Sequence, residues 1–270
     1  MSIRPTGAIA PLATPASGDG GVGAEGIRRQ VDAVRPYISG LMPCISSGEG
    51  WRLTRTQWLT VTRETLRWAA GLPVYAGCQA TEWEELVGRA RQAEDLGADA
   101  VVLSVPTRHG LTSNGELIAR FSRIREQVDV PIVFYWESFI SGWELDVAAG
   151  IRLCEVLGAV AIKDSMRDKS LTRALTDHFA GSVSILQGWE DLLLPELPVD
   201  GYVGPLALLS SVAASIFTDE PRWDDIALES KRFGTLDRDY IARVKAELHR
   251  RGVFASAAEF PGVDGVDWDA

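Results

Sequence analysis

A (β/α)8 barrel is the fold class this sequence predicts, and three observations predict it. Eight short apolar runs rich in β-branched residues recur along the 270 residues, at 7–12, 40–45, 73–78, 100–105, 131–136, 160–163, 183–187 and 201–203. Segments of helical periodicity separate them, at 25–34, 56–68, 83–96, 115–128, 144–157 and 170–179. Such alternation calls for a parallel sheet with crossover helices, and runs that are apolar at successive positions are buried on both faces. A doubly wound open sheet meets the same two demands. The third observation separates them: there are eight units, no Gly-x-Gly-x-x-Gly follows the first run, and no Gly-x-x-x-x-Gly-Lys-Ser/Thr occurs anywhere.

Each element has its own punctuation. The tags "GLPVYAG", "GADAVVL" and "VDVPIVF" place Gly or Pro where a helix stops and the next strand starts. The uncharged stretch 201–218 is long enough to raise the question of a membrane span, but Gly201, Gly204, Pro205 and three serines interrupt it. It reads as strand, loop and buried helix. The barrel is expected over residues 1–218, a helical segment packed on it over 219–258, and a loosely held acidic tail over 259–270, where no Lys or Arg remains and acids stand among glycines. One core suffices for a chain of this length.

Composition excludes several classes. With 27 basic and 37 acidic side chains the formal charge is -10, so nucleic acid and anionic membranes are repelled by the average field. The three cysteines, Cys44, Cys78 and Cys154, form no CxxC and predict neither a disulfide framework nor a zinc cage. Cys44 and Cys78 read as small core hydrophobes. His109, His178 and His249 have no spacing that gathers two of them, so no metal is expected. The first fifteen residues hold Arg4 and three prolines without a continuous apolar stretch, which points to the cytoplasm.

In a barrel the chemistry belongs at the carboxyl ends of the strands. The sixth run, "AVAIKDS", ends in Lys163, with Ala161 and Lys163 on one face and Ile162 on the other. A lysine aimed into an apolar barrel has its ammonium form disfavoured, which yields the free amine needed to attack a ketone. The same segment also accommodates a lysine whose stem packs while its head reaches solvent. The fifth run, "PIVFYWES", places Tyr135 at the depth of Lys163 in the next strand, where a phenol can carry protons for an amine or be a buried tyrosine with one hydrogen bond. After the second run, "CISSGEG" sets Ser46, Ser47 and Gly48 in a small polar loop suited to a carboxylate, although such turns occur in many loops.

Taken together these motifs resemble the dihydrodipicolinate synthase and N-acetylneuraminate lyase family of Schiff-base aldolases. The resemblance covers most of the chain, through "GAIAPLATP", "SSGEG", "GADAVVLSVP", "PIVFY", "AIKDS" and "DGYVG", with the spacing from Tyr135 to Lys163. It implies a TIM barrel with a C-terminal helical extension, shortened here, whose late helix matches "ARVKAELHRRGV". It also implies a metal-independent class I lyase without cofactor, acting on pyruvate or a related 2-keto acid and an aldehyde, as a homodimer or homotetramer. Lys163 then forms the imine, Tyr135 relays protons with Ser47, and Ser46, Ser47 and Gly48 hold the carboxylate. Trp136, Trp189 and Val203 are expected to line the mouth.

Two departures refine this expectation. Members that condense pyruvate with aspartate semialdehyde carry an arginine shortly after the strand-five tyrosine, where this chain has Ile140 after Glu137, so an acceptor other than the lysine precursor is expected. Where the family offers two tyrosines after strand four, one of them reaching a neighbouring subunit, this chain reads "VPTRHG", and Arg108 and His109 are expected near substrate. Nine tryptophans, among them Trp51, Trp136 and Trp189 near the mouth, suit either an aromatic acceptor or core and subunit contacts. A 2-keto-3-deoxy sugar-acid aldolase or dehydratase and, in another class, a non-catalytic keto-acid-binding barrel are the alternatives.

Overall fold

The computed structural model describes residues 4–261. All eight expected strands form: β1 (Gly7–Ala10), β2 (Gly40–Leu41), β3 (Tyr75–Gly77), β4 (Ala100–Leu103), β5 (Ile132–Trp136), β6 (Ala161–Asp164), β7 (Ser184–Gln187) and β8 (Gly201–Tyr202). Every pairing is parallel, in the order β2-β1-β8-β7-β6-β5-β4-β3. A parallel bridge between Leu41 and Val74 joins β2 to β3, supported by the Gly77 amide donating to the Pro43 carbonyl at 2.9 Å, and closes the ring. Six helices run between strands: α1 (Ala24–Val34), α2 (Arg55–Trp68), α3 (Trp83–Asp95), α4 (Asn114–Arg125), α5 (Val147–Leu157) and α6 (Lys169–Phe179).

Boundaries differ from the periodicity where local chemistry intervenes. β1 stops before Pro11, and β2 stops before Pro43 and Cys44, the latter in the left-handed region at φ 58°. Helix α5 begins at Val147 rather than 144 because the Asp146 carboxylate accepts from the Ala149 amide at 2.9 Å and caps the first turn. Thr54 and Gln57 form a reciprocal capping box at the start of α2.

Alternation along the strands divides the side chains into two layers. Ile9, Tyr75, Ala100, Val102, Val133, Tyr135, Ala161 and Leu186 cluster in the barrel interior, whereas Val101, Leu103, Phe134, Trp136 and Ile162 belong to the cluster under the helices. Trp136 reaches α5, where a Cβ on Gly150 would sit 1.8 Å from its ring, so only glycine admits it.

The stretch 201–218 supplies β8 and two short buried helices, α7 (Leu206–Leu209) and α8 (Val212–Ser215), followed by α9 (Trp223–Phe233) and α10 (Tyr240–Arg250). Among the described residues no helix is long and apolar enough to cross a membrane. Helix α10 is fastened to the loop after β2: the Lys245 ammonium meets the Glu49 carboxylate at 2.5 Å, both side chains fully buried. The Phe260 amide donates to the other Glu49 oxygen at 2.7 Å, and Glu259 pairs with Arg52 at 2.9 Å. Removing one partner of such a buried pair leaves an uncompensated charge, at a cost of about 3–5 kcal/mol. Glu259 and Phe260 are therefore docked on the barrel, and residues 262–270 of the expected acidic tail lie outside the described residues.

Candidate active site

The β5–β6 register pairs Tyr135 with Lys163, so the two side chains enter the barrel mouth at one depth. The Lys163 Nζ lies 3.6 Å from the centre of the Tyr135 ring and donates to the Ser165 hydroxyl at 2.9 Å. Only 3% of Lys163 is exposed, so the head does not snorkel to solvent. Burial lowers its pKa to about 7, against the opposing pull of Glu137, Asp164 and Glu190, and half the amine is then unprotonated near neutrality. The end of β6 is fixed from behind, because Asp164 accepts from the Thr172 hydroxyl at 2.5 Å and from the Met166 amide at 3.1 Å.

Ser46, Ser47 and Gly48 form a single 3-10 turn, bracketed by Cys44 and Glu49 in the left-handed region. The Ser46 hydroxyl is 2.9 Å from the Tyr135 hydroxyl, which joins the serine loop to the strand-five phenol. Burial holds the Tyr135 phenol well above its ordinary pKa, so it is a protonated donor at working pH. Arg89, itself buried, braces this loop by donating to the Gly50 carbonyl at 2.8 Å and to the Leu53 carbonyl at 2.6 Å.

Lys163, Tyr135, Ser46 and Ser47 line one narrow pocket, together with Ser165, Gly188, Trp189, Val203, Pro205, Phe139, Thr235 and Tyr240. Trp189 donates its indole N–H to the Ser165 carbonyl at 2.9 Å, stacks under the Arg167 guanidinium and meets Phe139 edge-on, with ring centroids 6.3 Å apart. Thr235 and Tyr240 come from the C-terminal helical segment and were absent from the sequence expectation. Their only sequence signal is a polar turn, "GTLDRDY", ahead of an amphipathic helix.

Five expected residues lie elsewhere. Trp136 follows Tyr135 by one position, so the strand turns it to the outer layer, against Gly150. Gly48 is absent from the lining, and its amide is taken by the Ile45 carbonyl at 2.9 Å; a Cβ there would meet the Leu12 carbonyl at 2.7 Å, which accounts for the glycine. His109 packs edge-on against Trp143 at 5.0 Å and accepts from the Leu111 amide at 3.0 Å. Arg108 stands near Glu82 at 3.7 Å, and neither loop residue lines the pocket of its own chain. Trp51 is also outside the lining, buried under Arg52.

Two buried carboxyls act on the lysine through their charge. Glu137 accepts from the Ile140 amide at 2.8 Å, Glu190 accepts from the Tyr202 hydroxyl and the Leu206 amide, and burial raises each to about 7. The sign for reactivity follows from the lysine: a pKa lowered to about 7 means that the nucleophilic amine accumulates as pH rises. Its free fraction grows from about a tenth at pH 6 to about nine tenths at pH 8, so attack of this amine on a carbonyl compound is expected to speed up about tenfold over that interval and then level off. Glu137 and Glu190 broaden this limb, since as anions they favour the ammonium. A rate of attack that is flat from pH 6 to 8 would contradict the assignment.

Comparison with known proteins agrees with this architecture. A family model described as the dihydrodipicolinate synthetase family matches residues 4–219. The chain is 31% identical over 209 residues to a 4-hydroxy-tetrahydrodipicolinate synthase of Methanothrix thermoacetophila, covering 77% of this chain and 70% of that protein. Among solved structures, dihydrodipicolinate synthase from Bacteroides thetaiotaomicron superposes with a TM-score of 0.85 at 24% identity, covering 98% of this chain and 95% of that one. YagE, a prophage protein of the dihydrodipicolinic acid synthase family from E. coli K12 in complex with pyruvate, superposes with a TM-score of 0.84 at 21% identity, covering 97% and 93%.

Proposed function

The chain belongs to the dihydrodipicolinate synthetase family and is an aldolase-type lyase, and from that membership we propose that it joins pyruvate or a related 2-keto acid, through an imine on Lys163, to an aldehyde other than aspartate semialdehyde. The observation that carries the reading is the Lys163 amine, buried over the Tyr135 ring beside a hydroxyl-lined loop, with its pKa brought to about 7. A merely structural lysine has no need of that environment.

The steps follow from these groups. The neutral Lys163 amine adds to the keto carbon, and the resulting carbinolamine loses water to give a protonated imine. That cation withdraws electrons from the neighbouring carbon, whose proton leaves to form an enamine, and the enamine attacks the aldehyde carbonyl. Tyr135 delivers the proton that departs with the carbinolamine oxygen and serves the later transfers. The Ser46 and Ser47 hydroxyls hold the keto-acid carboxylate and fix the carbonyl beside the amine. Hydrolysis of the imine returns free Lys163. The lysine itself supplies the electrophilic activation, so this chemistry calls on no further cofactor.

Acceptor choice rests on the pocket mouth. Position 140 carries isoleucine, whose amide serves Glu137, so no guanidinium stands there for a second carboxylate, and a Glu137 anion would oppose one. Phe139 and Trp189 offer an apolar rim instead. Pyruvate consumption should therefore be followed with aspartate semialdehyde, short aliphatic aldehydes, hydroxylated aldehydes and benzaldehyde-type acceptors. An apolar aldehyde is expected to give kcat/KM at least about tenfold above that of aspartate semialdehyde, the discrimination of one or two kcal/mol that apolar contact supplies. A preference for aspartate semialdehyde would overturn this choice of acceptor.

A further inference from the structure

Arg167, in the loop after β6, holds its backbone in the left-handed region at φ 55°. Only glycine enters that region without strain, because a Cβ there crowds the following carbonyl. Among the described residues, Ala70 and Ala180 share it just past the ends of α2 and α6, where such a turn is an ordinary way to stop a helix. Cys44 and Glu49 share it on either side of the serine loop. Arg167 instead precedes α6, which is capped by Asp168, so no helix end accounts for it. What offsets the strain is the side chain. Its Nε and a terminal nitrogen donate to one Asp191 oxygen at 2.9 and 2.7 Å, and the guanidinium carbon lies 4.9 Å from the centre of the Trp189 ring. Glycine could make neither contact.

Trp189 is therefore held at three points. Its indole N–H donates to the Ser165 carbonyl at 2.9 Å, its backbone amide donates to the Gln187 side chain at 3.0 Å, and the guanidinium covers its ring. The same ring lines the pocket of Lys163 and meets Phe139 edge-on. Through Asp191, Arg167 also ties the loop after β6 to the loop after β7.

We propose that Arg167 determines acceptor specificity: stacked on Trp189 and tied to Asp191, it holds the indole as a fixed wall against which the acceptor packs, so that an aldehyde carrying a flat ring is selected over a short aliphatic one. The proposal rests on the reading of Phe139 and Trp189 as an apolar acceptor rim. A ring gains from edge-on and offset contacts with two held aromatic side chains, which an alkyl chain does not. A wall already immobilised also costs less to order when the acceptor binds. Arg167 touches no reacting atom and acts through Trp189, as a positioning residue. Its pair with Asp191 is partly exposed, with side chains 44% and 37% accessible, so its effect is read in selectivity rather than in folding.

The test is Arg167→Gly, which deletes both contacts and relieves the backbone, so the melting temperature should hold or rise. The preference for benzaldehyde over propanal, as the ratio of kcat/KM values with pyruvate as donor, is expected to fall about 2- to 10-fold, the range one aromatic contact supplies. KM for pyruvate and the rate of borohydride trapping on Lys163 should stay unchanged, which a general loosening of the site would not allow. Arg167→Lys keeps a positive charge opposite Asp191 but has no planar group to stack, and it should lose the preference as well. A full preference in Arg167→Gly, a full preference in Arg167→Lys, or an equal loss towards pyruvate and both aldehydes would overturn the assignment while the apolar rim stands. A natural chain that prefers aspartate semialdehyde, or that does not favour benzaldehyde over propanal, would remove the rim and the assignment together.

Discussion

Lys163→Ala is expected to lower turnover at least about 10⁴-fold, as loss of a covalent nucleophile does. Among the groups lining the pocket Lys163 is the only amine, and Lys245, the other buried lysine, is committed to Glu49. The variant should fold. Lys163 is held in an environment that disfavours its charge, so its removal relieves desolvation even as it forfeits the Ser165 hydrogen bond and contact with the Tyr135 ring. Matched circular dichroism and melting curves beside the activity loss would assign the loss to chemistry. Substantial turnover in Lys163→Ala would contradict any imine on this residue.

Tyr135→Phe is expected to lower kcat about 10²- to 10⁴-fold, the range for removal of a general acid–base group, while the keto-acid KM changes little. The substitution keeps the ring beneath Lys163 and deletes only the hydroxyl that lies 2.9 Å from Ser46. Trapping of the pyruvate imine should slow without vanishing, because the amine remains. Single-turnover trapping alongside steady-state kinetics distinguishes this from a binding defect: equal kcat with raised KM would mean that the phenol binds and does not relay protons.

Much of this site was legible in the sequence because a parallel barrel has a simple grammar. Strand ends set depth, so "PIVFY" and "AIKD" put Tyr135 beside Lys163, and strand alternation put Ala161 with Lys163 and Ile162 behind them. The same rule assigns Trp136 to the outer layer, one residue after an inward tyrosine, and its expected place in the mouth neglected that rule. Loop residues have no such periodicity. His109 is decided by its contact with Trp143, and Gly48 by the close approach of the Leu12 carbonyl. Tyr240 and Thr235 were illegible for a different reason. Their arrival depends on a pairing between Glu49 and Lys245, remote in sequence, and no local pattern announces that a polar turn before a late helix will close over the serine loop.

Intact-protein mass after incubation with pyruvate and borohydride, for the natural chain and for Lys163→Ala, tests the central claim most directly. The imine account predicts a gain equal to pyruvate minus water plus two hydrogens in the natural chain, mapped to the peptide containing Lys163, and no gain in the variant. An adduct that persists in Lys163→Ala, or a natural chain that gains no mass with pyruvate or with longer 2-keto acids, would contradict it.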